Sequence, residues 1–98
     1  MIVLFVDQLG QIVATPGALV ALAAADTSPS TLLQRHASGD WGDLDAHDRA
    51  ANDAALRDVS RLLSAYVVAE GVTIWIITEA AAADGHRAAT TLLLPEEY

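Results

Sequence analysis

With 98 residues, 53% of them hydrophobic, the chain is long enough for one domain that buries its own core. No cysteine is present, which excludes disulfides and thiolate metal sites. Thirteen acids stand against five basic residues, all arginine, for a net charge of −8, and such a surface repels phosphate backbones and anionic membranes alike.

The charge is unevenly placed. Residues 1–35 carry Asp7, Asp26 and Arg35, whereas residues 36–98 carry eleven acids and four arginines. The natural partner of such a surface is a basic one, including one that ordinarily holds nucleic acid. At the N-terminus, Met1 to Asp7 lacks a basic flank, and its apolar run is far short of the roughly 20 residues that span a bilayer. With the missing cysteines, this suits a cytoplasmic protein.

Along the chain, Ile2–Val6 is a short apolar run, and Gln11–Ala14 resumes an extended pattern after the Asp7–Gly10 turn. The two could pair as a hairpin. Thr15-Pro16 signals a helix start, with a capping hydroxyl before a proline that needs no donor, and the nearly all-apolar helix to about Ala25 is expected to be buried. Ser28-Pro29 repeats the signal for a second helix ending near Ala37. Ser38 to Gly42 is loop chemistry.

A third and longest helix is capped by Asp43 or Asp45. Ala51, Ala55, Val59, Leu62, Leu63 and Tyr66 recur at helical spacing, which carries it to between Tyr66 and Glu70, with Gly71 as the stop. Asp45–Arg49 and Asp53–Arg57 are four apart, as helical ion pairs require. Val72–Thr78 is a central strand by its β-branched and aromatic content, and Trp75 is assigned to the core. A loop around Asp84-Gly85 leads to an antiparallel partner strand at Ala89–Leu94, and Pro95 opens an exposed acidic tail. The expected architecture is a single α+β domain over residues 1–98, three helices on an antiparallel sheet of about three strands.

No motif for chemistry emerges. The acids and His47 within Gly39–Asp48 lack calcium-loop spacing, and His36, His47 and His86 are too dispersed in sequence to suggest zinc. Ser38, Ser60 and Ser64 sit in no nucleophile elbow. No enzyme, metal or cofactor is expected. Trp41, between two glycines, either folds back as a lid or anchors a partner.

Four blocks carry a resemblance: Gln11–Leu19, Arg35–Leu44 with its Gly-Asp-Trp-Gly-Asp-Leu, Trp75–Ala80, and Thr90–Tyr98 with its closing Leu-Pro-Glu-Glu-Tyr. They resemble a small bacterial family borne on plasmids and other mobile elements and labelled plasmid-related. Ala81–His86 departs from it by lengthening the last turn. By size, charge and that setting, the chain also resembles anti-CRISPR proteins. The resemblance implies a non-enzymatic inhibitor that mimics nucleic acid and occupies a basic surface of a CRISPR effector complex. The charge argues against its binding nucleic acid or membrane itself, and a monomer is favoured with the oligomeric state left open. Asp40, Asp43, Asp45, Asp48, Asp53 and Asp58 are the expected contacts, with Glu96 and Glu97 secondary. The alternative is a structural or regulatory interaction module of plasmid biology using Trp41 and the loop around it.

Overall fold

The computed structural model describes residues 9–98. The Ile2–Val6 half of the anticipated hairpin lies outside the described residues. Strand β1 (Gln11–Ala14) is followed by helices α1 (Pro16–Ala24), α2 (Pro29–Ala37) and α3 (Ala46–Asp58). Strands β2 (Leu62–Ala69), β3 (Val72–Thr78) and β4 (Ala89–Leu93) follow, and one 3-10 turn (Pro95–Glu97) closes the chain.

The two cap-and-proline signals act as anticipated. Thr15 accepts from the Ala18 N–H and Ser28 from the Ser30 N–H, each with proline at the first helical positions. α1 is less buried than its composition suggests. Only Ala18 and Leu22 are enclosed, while Leu19 and Val20 face solvent.

The third helix required the largest correction. It ends at Asp58, where Val59 turns into the left-handed region (φ 53°), and the chain restarts as β2 at Leu62. Leu62, Leu63 and Tyr66 are therefore strand residues. Gly71 (φ 71°) serves the β2–β3 turn instead of stopping a helix. The expected ion pairs along α3 do not form. Arg49 instead donates to the Leu44 carbonyl, and among the described residues the single salt bridge is Arg35–Asp40.

The sheet has four strands in the order β1-β4-β3-β2 and is mixed. β2–β3 and β3–β4 are antiparallel, while β1 runs parallel to β4. The fold is thus α+β, with one strand more than expected. The helices cover one face, where Tyr66, Ile74, Ile76 and Leu92 meet Ala18, Leu22 and Leu32, and Leu62 meets Leu9, Trp41 and Ala55. Trp75 points to the opposite face and is only half-buried, edge-on to Tyr98. The C-terminus folds back and is not a free tail: the Tyr98 hydroxyl accepts from Arg61, and Glu97 accepts from the Thr15 hydroxyl.

Candidate functional site

The acidic segment begins where α2 ends. Asp40 is held by the Arg35 guanidinium, Nε to Oδ2 at 2.7 Å, and its Oδ1 accepts from the Gly42 N–H at 3.1 Å. The bond from Arg35 keeps the Asp40 carboxyl below its ordinary pKa. Arg35 also lies over the Tyr66 ring at 4.6 Å, and the Tyr66 hydroxyl donates to the Asp40 carbonyl. Burial pushes the Tyr66 phenol up to about 12.

Trp41 is the lid. It is 4% exposed, packs with Leu9, Ala55 and Leu62, and stands edge-on to His36 at 5.6 Å. Its indole N–H donates to Asp53 Oδ1 at 3.0 Å. Trp41 is therefore withdrawn from the set of partner contacts, because its ring is inside the protein. In the alternative reading Trp41 cannot be the anchor, which leaves the loop around it.

Asp43 works on the edge of β2. Its N–H donates to the Ala65 carbonyl at 2.7 Å and its Oδ2 accepts from the Val67 N–H at 2.8 Å. The Ala65 N–H in turn donates to the Trp41 carbonyl, and both backbone groups of Leu63 bond the side chain of Asn52. Loop and helix thus close the outer side of β2 by supplying the bonds a fifth strand would make. Asp45 caps α3 by accepting from the Asp48 N–H.

Five of the eight anticipated acids (Asp40, Asp43, Asp45, Asp53 and Glu97) thus have intramolecular duties. Asp48, Asp58 and Glu96 are exposed, and their carboxylates engage no other group among the described residues. Nor do the acids of α3 form one stripe. Asp48, Asp53 and Asp58 are five apart, and each step of five turns the helix by about 140°.

All eleven carboxylates of residues 36–98 are nevertheless exposed, whereas Arg87 is buried and donates to the carbonyls of Ser60 and Glu79. That leaves Arg49, Arg57 and Arg61 as the exposed arginines of this region. With Arg35 of α2 paired to Asp40, eleven exposed carboxylates on this surface meet four exposed arginines. The sequence offers no local signal for the burial of Arg87, since the carbonyls that hold it are 27 and 8 residues away.

Sequence reasoning also missed a buried polar chain beneath Trp41. His36, Ser64, Thr78 and Thr90 are all fully enclosed. Thr90 Oγ1 donates to the Leu9 carbonyl, so the Thr78 hydroxyl must donate to Thr90, and His36 Nε2–H to Thr78. In the neutral ring His36 Nδ1 is then an acceptor, 2.5 Å from Ser64 Oγ, which supplies the proton. The network fixes Nε2 as the protonated nitrogen, and burial together with the charge of Arg87 lowers the pKa to about 4, which leaves the imidazole neutral near pH 7. The Ser–His pair has no access to a substrate. Elsewhere, no three histidines or carboxylates converge as metal ligands among the described residues, and no helix there is long and apolar enough to cross a membrane. Comparison with protein-family models, curated proteins and solved structures finds no match.

Proposed function

We propose that the chain is a non-enzymatic protein-binding module that presents its carboxylates to a basic surface. In the narrower form, it is an inhibitor of the anti-CRISPR type that occupies the nucleic-acid-binding surface of an effector complex. One observation carries the reading: of the eleven exposed carboxylates of residues 36–98 only Asp40 is held by an arginine, Arg35, while the segment's own exposed arginines are three and Arg87 is turned inward. Charge left unneutralised within the molecule is available to a partner, and it accelerates encounter with an oppositely charged one. The sealing of His36 and Ser64 inside the core favours binding over catalysis.

Asp48, Asp58 and Glu96 are the acids to test, because no bond among the described residues holds their carboxylates. In the direct experiment, the Asp48→Arg, Asp58→Arg, Glu96→Arg triple variant competes with nucleic acid for a purified effector complex at several salt concentrations. The native chain is expected to compete, less well as salt rises. The triple variant is expected to lose that competition. Equal competition by both proteins, or none by the native chain, overturns the effector reading.

A further inference from the structure

The face of the sheet away from the helices carries an open aromatic pair. Trp75 is half-buried, Tyr98 is 67% exposed, and their rings meet edge-on at 5.8 Å. A cation already rests on this pair. The Arg61 guanidinium lies 5.2 Å from the centre of the Tyr98 ring, and its Nη1 donates to the Tyr98 hydroxyl at 2.6 Å. No carboxylate pairs with Arg61 among the described residues. In a chain with thirteen acids, this arginine is held by an aromatic ring.

We infer that Trp75 and Tyr98 anchor an arginine side chain of a basic protein partner, and that Arg61 fills the anchor in the free chain as an internal stand-in. This rests on the broader reading of the chain as a module for basic surfaces, and it adds where the partner is gripped. Arginine fits better than lysine. Its planar guanidinium lies against the ring while one N–H reaches the phenol oxygen, the arrangement that Arg61 already adopts.

The charge around the pair selects a cationic occupant. Glu96 belongs to the turn that carries Tyr98. Glu79 extends β3 with its N–H on the Ala89 carbonyl, so strand alternation sets its side chain on the Trp75 face. Both carboxylates are exposed and bond nothing among the described residues. Of the five arginines, Arg61 is the one that reaches this face. Arg35 is held by Asp40, Arg49 and Arg57 belong to α3 on the opposite side of the sheet, and Arg87 is buried. Such rings also stack nucleobases, but the attached phosphates would meet a net charge of −8. An uncharged peptide would gain nothing from the two glutamates.

The test uses the full chain and two labelled peptides, hexa-arginine and hexa-lysine, titrated at low salt. The native chain should bind hexa-arginine the more tightly. Tyr98→Leu, at an exposed position, should weaken hexa-arginine about 2–5-fold and remove its advantage over hexa-lysine, with an unchanged circular dichroism spectrum. Arg61→Gln should tighten hexa-arginine more than Arg57→Gln, which removes the same charge from the last turn of α3. That difference separates a vacated ring from a general gain in negative charge. Equal affinity for the two peptides, no response to Tyr98→Leu, or equal gains in the two arginine variants overturns the anchor and leaves the acidic reading standing. Binding of neither peptide overturns both. A chain that prefers hexa-arginine through Tyr98 yet fails to compete for the effector complex keeps the anchor and loses only the effector reading.

Discussion

His36 Nδ1 accepts the hydroxyl proton of Ser64, 28 residues further along the chain, in a fully enclosed part of the core. The imidazole is neutral there, and its pKa falls from an ordinary 6.5 to about 4. A base whose pKa is lower in the folded than in the unfolded state is penalised wherever the unfolded chain binds the extra proton. Stability should therefore be full above about pH 6.5 and decline as pH falls toward 4, by about 3 kcal/mol in all. Urea unfolding at half-unit pH steps measures this. His36→Gln should be less stable at pH 7 but flat across that window. A native protein equally stable at pH 4.5 and 7 would contradict the assignment of a neutral His36.

Ser64→Ala removes the donor to Nδ1 and leaves a buried acceptor unpaired. It should cost about 1–3 kcal/mol at pH 7. Ser64→Thr, which keeps the hydroxyl, should recover part of that loss. Chemical denaturation of the two variants side by side decides the point.

How far this could be read from the sequence is clearest at β2. The starts of α1 and α2 were legible because Thr15-Pro16 and Ser28-Pro29 are local signals, and β3 because every residue from Val72 to Thr78 favours a strand. β2 was hidden. Val59, Leu62, Leu63 and Tyr66 stand at helical spacing, and no glycine or proline separates them from α3. The break is instead made by Val59 in a left-handed conformation, which a β-branched residue rarely adopts. The alternation of buried Leu62, Ser64 and Tyr66 went unseen because Ser64 is polar, and its burial makes sense only with His36 beside it. The acidic segment was legible as charge but not as structure. Asp45 was legible as a helix cap, whereas that Asp43 and Asp53 hold backbone and indole groups depends on contacts formed only after folding.

Asn52 stands in for a neighbouring strand by giving its amide to both the N–H and the C=O of Leu63. Asn52→Ala should destabilise the protein by about 1–3 kcal/mol and speed hydrogen exchange at the Leu63 amide more than at Ile76, which is deep in the sheet. Uniform acceleration at both amides would instead mean that Asn52 acts only through global stability.

The acids divide into two groups by the same argument. Asp45→Ala removes the cap of α3 and should cost about 1 kcal/mol. Asp58→Arg and Glu96→Arg involve exposed carboxylates with no bond among the described residues and should each stay within about 0.5 kcal/mol of the native protein, while Asp48→Arg, in the first turn of α3, should cost about 1 kcal/mol through the helix dipole. Thermal melts of the four variants check the division. They also establish that any binding lost by the triple variant reflects charge and not unfolding.

Gly42 shows why the Gly-Asp-Trp-Gly-Asp segment has the composition it has. Its φ is +77°, and a Cβ there would lie 2.0 Å from the Ala65 carbonyl oxygen and 2.6 Å from the Tyr66 ring. The loop could not then reach β2, and the Ala65 N–H to Trp41 and Asp43 N–H to Ala65 bonds would be lost together. Gly85 has a similar φ of +83° with nothing within 4 Å of the added atom. Gly85→Ala should therefore cost only the backbone conformation, about 1 kcal/mol, while Gly42→Ala should cost several times that. It should also expose Trp41, whose fluorescence would shift to the red and become accessible to quenchers. Similar losses in the two variants would mean that the close approach of the loop to β2 contributes nothing to stability.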